Sequence, residues 1–183
     1  SVYRGILGYY FNKPPINTIN NNITIVDDPQ FLQQYGVTHI VCTDNVIKTN
    51  TVVGSGTLNK QITGIYTTLN TNQQVLCNSV SNSYQGFEFA GLQAGTQWYG
   101  NKMQNHERGF VLSNNGMIGT QGSGTFPIDN QWLGSGWSLI NSQTWTDFSF
   151  ASTSTLNVRV AATYSPTFNG GFPQIPSYLF CCI

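Results

Sequence analysis

The sequence predicts an all-β fold, an antiparallel β-sandwich of jelly-roll or Greek-key type with one short helix. Three observations predict it. Short apolar runs dense in β-branched and aromatic residues recur along the chain, clusters of Gly, Asn and Ser punctuate them, and helical periodicity is scarce.

The runs place strands over residues 6–11, 23–26, 37–43, 61–69, 73–80, 84–89, 109–113, 145–150 and 156–164. In the last of these, Leu156, Val158, Val160 and Ala162 share one face and Asn157, Arg159, Ala161 and Thr163 the other. That is the period-two signature of a strand wet on one side. The turn signals include Gly54-Ser55-Gly56, Asn114-Asn115-Gly116, Gly122-Ser123-Gly124, Gly134-Ser135-Gly136 and Asn169-Gly170-Gly171, residues that accept positive φ at little cost. Asn115-Gly116 predicts a type I′ hairpin between Phe110-Val111-Leu112 and Met117-Ile118. The single helix is placed over residues 28–36, with Asp28 as N-cap, Pro29 at the first helical position and Gly36 at the stop. The sequence shows no exact internal repeat, so a propeller or a β-helix is not expected.

At 183 residues the chain fits one domain, residues 1–183, able to bury a sizeable core. Charged residues make up 8% of it, against the roughly 25% usual in soluble domains, while 69 residues are Asn, Gln, Ser or Thr. Its polarity is that of hydrogen bonding. Seven basic and seven acidic residues, with no basic run, leave no footprint for phosphate backbones, so no nucleic-acid partner is expected. A net charge of zero supplies little repulsion between copies and predicts a homo-oligomer. No apolar run approaches the ~20 residues of a membrane span. The pairing of Cys42, Cys77, Cys181 and Cys182 stays open.

Ionisable groups are too few and too scattered for acid–base catalysis to be expected, and no nucleophile elbow, phosphate loop or zinc spacing is present. The chain is therefore predicted to be non-enzymatic, without cofactor or metal. His39 reads as structural, since strand alternation turns it away from Cys42 and Asp44. His106, beside Glu107 and Arg108, is the ionic cluster best placed to position a ligand.

Aromatic residues in polar, glycine-loosened stretches carry the functional expectation. Trp98, Tyr99 and Asn101 lie between Gly91 and Asn105, and Asp129, Trp132 and Trp137 follow. A flat ring stacks on a sugar face or anchors a protein partner while neighbouring amides bond hydroxyls. With His106, these are the candidate ligand-binding residues.

The alternation over residues 148–164, with the low charge and the abundance of amides and hydroxyls, resembles the surface or protruding domains of non-enveloped virus coat proteins. The resemblance implies a structural or attachment domain on the virion surface that self-associates and contacts a host receptor or glycan. A secreted, free-standing lectin and a bacteriophage tail-fibre tip are the alternatives, and a hydrolase using His106 is a distant third.

Overall fold

The computed structural model describes residues 2–9, 15–56, 61–118, 130–133 and 148–149. The strands expected within 156–164, most of that expected at 145–150, and the glycine turns after residue 120 lie outside these residues.

Within them the chain forms strands β1 (Val2–Tyr9), β2 (Asn17–Ile19), β3 (Asn22–Thr24), β4 (Gln33–Ile40), β5 (Val46–Lys48), β6 (Thr51–Val53) and β7 (Ile62–Thr68). They are followed by β8 (Gln74–Leu76), β9 (Ser79–Leu92), β10 (Gln97–Tyr99), β11 (Lys102–Met117), β12 (Gln131–Leu133) and β13 (Phe148–Ser149).

Every pairing among these strands is parallel. The expected antiparallel jelly-roll or Greek-key sandwich is therefore overturned. The strands stack in three columns that the chain visits in rotation, as a parallel β-solenoid. The first column holds β1, β4, β7 and the C-terminal halves of β9 and β11; the second holds β2, β5, β8 and β10. The third holds β3, β6, the N-terminal halves of β9 and β11, and β12. Each coil supplies the crossover that a parallel pair requires.

A repeat does exist, and unequal coils conceal it. The third column aligns Asn22, Thr51, Ser79, Lys102 and Gln131, at spacings of 29, 28, 23 and 29 residues. One position before each stands Asn21, Asn50, Asn78, Asn101 and Asn130. These five side chains form a ladder along the solenoid axis. The Nδ2 group of each donates to the Oδ1 of the next, at 2.9, 2.9, 3.0 and 3.0 Å. The same Oδ1 atoms accept the preceding asparagine's backbone N–H at 2.9 to 3.0 Å. Immediately before the ladder, Asn20, Thr49, Cys77 and Gly100 all adopt left-handed φ between 53° and 66°. That conformation is unfavourable for a β-branched residue such as Thr49 and persists because the stacked coils over-determine it.

The expected helix does not form. Asp28 caps a turn instead, its Oδ1 accepting the Gln30 N–H at 2.9 Å and its carbonyl the Phe31 N–H at 3.1 Å. Residues 33–36 then run into β4, where pairing to β1 and β7 outweighs local helix propensity. The hairpin expected at Asn115-Gly116 is likewise absent. Positive φ falls at Asn114 and Asn115, 51° and 59°, and not at Gly116, and β11 continues beyond them parallel to β9, from Ser113↔Ala90 to Met117↔Leu92.

The core fills the solenoid. Ile25, Val37, Ile47, Val52, Ile65 and Val75 line its first coils, and Phe87, Phe89, Trp98 and Phe110 gather in the later ones. Gly36 and Gly64 stand in register in the first column where opposing side chains press in: a Cβ on Gly64 would lie 2.2 Å from Val80 Cγ1. Among the described residues, no helix is long and apolar enough to cross a membrane.

Candidate functional site

The structure disperses the residues that sequence reasoning grouped as ligand-binding. Trp98 shares a column with Thr18, Ile47 and Val75 and is 0% exposed. Its ring packs against Phe110 with centroids 4.3 Å apart and meets Phe87 edge-on at 6.0 Å. It is a core residue, contrary to the expectation of an exposed platform, because the period-two pattern turns it inward and its neighbour Tyr99, 39% exposed, outward. Asn101 is a buried rung of the ladder; its Nδ2 donates to Asn130 Oδ1 and to the carbonyls of Val75 and Tyr99.

His106 is also interior. Its Nε2 lies 3.0 Å from the Val80 carbonyl and its Nδ1 3.0 Å from Ser83 Oγ. Gly86 makes room for it, since a Cβ there would stand 3.1 Å from the ring. Burial lowers the His106 pKa to about 4, although both backbone carbonyls favour the charged form. His39 is buried too, between Thr18 Oγ1 at 2.9 Å and Asn45 Nδ2 at 2.5 Å, and burial lowers its pKa to about 4 as well. Trp132 belongs to β12, in register with Met103. Asp129 and Trp137 lie outside the described residues.

What the fold does assemble is a cleft on the first coil, between β1 and the turn that follows β3. It encloses about 290 Å³ and is lined by residues including Tyr3, Val26, Asp27, Asp28, Phe31 and Gln34. The Tyr3 and Phe31 rings face each other with centroids 5.6 Å apart and planes inclined by 58°. The turn capped by Asp28 sets the position of Phe31. Gln34, almost wholly buried, clamps the same turn: oriented to match its surroundings, its amide donates to the Val26 carbonyl at 2.7 Å and accepts the Asp28 N–H at 3.1 Å. Two ring walls with two neighbouring carboxylates offer both an apolar face and strong acceptors. That combination suits a ligand with a C–H face and several hydroxyls.

Beside the cleft runs a half-buried strip across the first column. The Arg4 guanidinium lies 5.9 Å from the centroid of the Tyr35 ring, and the Tyr35 and Tyr66 rings are 4.9 Å apart. Burial, reinforced by the nearby Glu88 and Tyr66, pushes the Tyr35 hydroxyl up to about 12. Burial also raises the Glu88 carboxyl, while the Ser113 hydroxyl, donating at 2.6 Å, and Arg108 act in the opposite sense. These groups brace one another across coils, with Arg108 also set 5.4 Å from the Tyr84 ring.

Sequence reasoning passed over the cleft residues. Asp27-Asp28 signals no metal loop, and Tyr3 and Phe31 are far apart in sequence. Among the described residues no group of three or more His, Cys, Asp or Glu side chains could hold a metal ion. No protein-family model, curated protein or solved structure matches the chain.

Proposed function

We propose that the chain is a non-catalytic attachment module that self-associates at the surface of a virus particle or fibre and holds a saccharide of a host receptor in the Tyr3–Phe31 cleft. The observation that carries the reading is the cleft itself: two opposed rings beside Asp27 and Asp28. A pyranose would stack its C–H face on a ring while the carboxylates accept its hydroxyls, bonds stronger than those between neutral partners. The setting at a particle surface is supported by composition, in which amides and hydroxyls replace charge. A solenoid braced by internal ladders is also suited to carrying such a site rigidly.

A glycan array tests this. The unmodified chain should give a reproducible signal for a restricted set of glycans, and Tyr3→Ala and Asp27→Asn should each weaken it about tenfold or more. No signal from the unmodified chain, or a signal untouched by both changes, removes the sugar reading. A free-standing lectin would use the same cleft as a strict monomer, so particle mass in solution separates the two.

A further inference from the structure

We infer that the Tyr3–Phe31 cleft selects its saccharide by charge: it takes a sugar that carries a protonated amine and turns away carboxylated or sulfated ones. The inference rests on the proposed sugar reading of that cleft and names the class of sugar.

The distribution of hydrogen-bond donors along the turn carries it. From Asp28 to Phe31 no backbone N–H is left for a ligand. The Asp28 N–H is donated to the Gln34 side-chain oxygen at 3.1 Å, and Pro29 has none to give. The Gln30 N–H goes to Asp28 Oδ1 at 2.9 Å and the Phe31 N–H to the Asp28 carbonyl at 3.1 Å. Gln34, 1% exposed, turns its own amide to the Val26 carbonyl at 2.7 Å. The polar groups that the lining side chains still offer are the hydroxyls of Tyr3 and Thr24, which accept as readily as they donate, and the carboxylates of Asp27 and Asp28, which only accept.

An anionic sugar needs donors and meets two like charges instead. An ammonium is the converse group, with three donors and no acceptor. It matches both kinds of wall at once, pairing with the carboxylates and lying against the negative face of the Tyr3 or Phe31 ring. A neutral hydroxyl gains from the carboxylates alone. Set on a pyranose, the amine reaches the carboxylates while the C–H face of the sugar rests on an aromatic wall. A cleft of about 290 Å³ is at the lower end of ligand sites and suits one sugar residue.

Among the described residues that line the cleft there is no Lys or Arg to invert this preference. Arg4, next to Tyr3 in β1, places its guanidinium 5.9 Å from the centroid of the Tyr35 ring.

The experiment is an array that carries each 2-amino sugar twice, N-acetylated and as the free amine, beside neutral, carboxylated and sulfated glycans. It is probed with the unmodified chain, with Tyr3→Ala and with Asp27→Asn/Asp28→Asn. The double substitution keeps a side-chain oxygen for the Gln30 N–H and so preserves the turn. On the unmodified chain the free amines should give at least ten times the signal of their N-acetylated twins, and the carboxylated and sulfated glycans none. The double substitution should bring that ratio near one, and Tyr3→Ala should lower both members of each pair. Neutral sugars that bind with no gain from the free amine, or a carboxylated or sulfated glycan that binds, overturn the charge selection; if Tyr3→Ala weakens that binding, the sugar reading of the cleft stands. No signal from any glycan overturns both. A trilysine peptide that displaces the bound glycan at equal concentration shows a site for amines of any kind and overturns the saccharide assignment. If the double variant fails to fold, the ratio on the unmodified chain decides alone.

Discussion

Leu7 and Thr38 occupy the same register one coil apart, yet the leucine is half exposed and the threonine fully buried, with its hydroxyl lacking a partner. The same inversion separates the first coil from the middle ones in general. In a solenoid, whether a side chain is buried depends on the coils above and below it as much as on its own polarity. Inner coils can therefore house asparagines, glutamines and histidines, because each rung satisfies the next. Gln73 Nε2 donates to Gln93 Oε1 at 2.6 Å, and Gln93 Nε2 to the Thr67 carbonyl at 2.9 Å, wholly inside the molecule.

Acid should strike the inner coils hardest. Both buried histidines bind a proton less readily folded, near pH 4, than unfolded, near pH 6.5. The unfolded state therefore takes up more protons as pH falls. Stability should be constant above about pH 6.5, decline down to about pH 4, and lose on the order of 3 kcal/mol per histidine across that window. Melting temperature against pH measures it, and a His39→Gln variant should show roughly half the slope. A flat profile between pH 7 and 4 would contradict the interior placement of both rings.

Next in size is Trp98→Ala, which opens a cavity among Phe87, Phe89 and Phe110 and should cost about 4 kcal/mol in denaturant unfolding. Tyr99→Ala, one residue along on the outer face, should cost under about 1 kcal/mol. Equal losses at the two positions would mean that the alternation has been misassigned.

The smallest effects sharpen the contrast between coils directly. Asn78→Ala removes bonds to Asn50, Asn101 and the Ile47 carbonyl and leaves buried groups unsatisfied, for about 3 kcal/mol. Asn21→Ala, at the first rung, removes fewer bonds at a partly exposed site and should cost about 1 kcal/mol. Thermal unfolding of the pair gives the comparison, and a first rung as costly as the middle one would show that the ladder is not cumulative.

Much of the strand content was legible in the sequence, because β-branched and aromatic runs mark extended backbone in any sheet. The predicted runs 37–43, 61–69 and 84–89 overlap β4, β7 and β9. Strand direction was not legible. Alternation is the same whether a neighbour runs parallel or antiparallel, and the deciding contacts join residues 22 to 31 positions apart. The turn chemistry expected at Asn115-Gly116 holds for Asn115 but not for Gly116, since positive φ at Asn114 and Asn115 serves a bend within a coil. The repeat left a trace that exact self-comparison overlooks: an apolar residue two positions after an asparagine, in Asn21/Ile23, Asn50/Val52, Asn78/Val80, Asn101/Met103 and Asn130/Trp132. Spacings that fall from 29 to 23 break its phase. The candidate site was the least legible part. Solvent-facing aromatics and core aromatics look alike in sequence, and the Tyr3–Phe31 pair exists only once β1 and the turn before β4 are brought together.

Between Asn22 and Lys102, one corner of the solenoid absorbs nearly all of the difference in coil length. Between the third column and the first, the chain spends residues 25–32 in one coil and 54–61 in the next, then turns on single left-handed residues, Asn82 and Asn105, within continuous strands. The bend that precedes the asparagine ladder keeps one length at the four rungs from Asn21 to Asn101. Over these coils length change falls at a position where it leaves the rungs untouched, and that is the position that builds the cleft. The scaffold separates what must be inherited unchanged from what can be exchanged: a loop of another length or composition grafted at this corner would alter the range of ligands while the frame carrying it stayed the same.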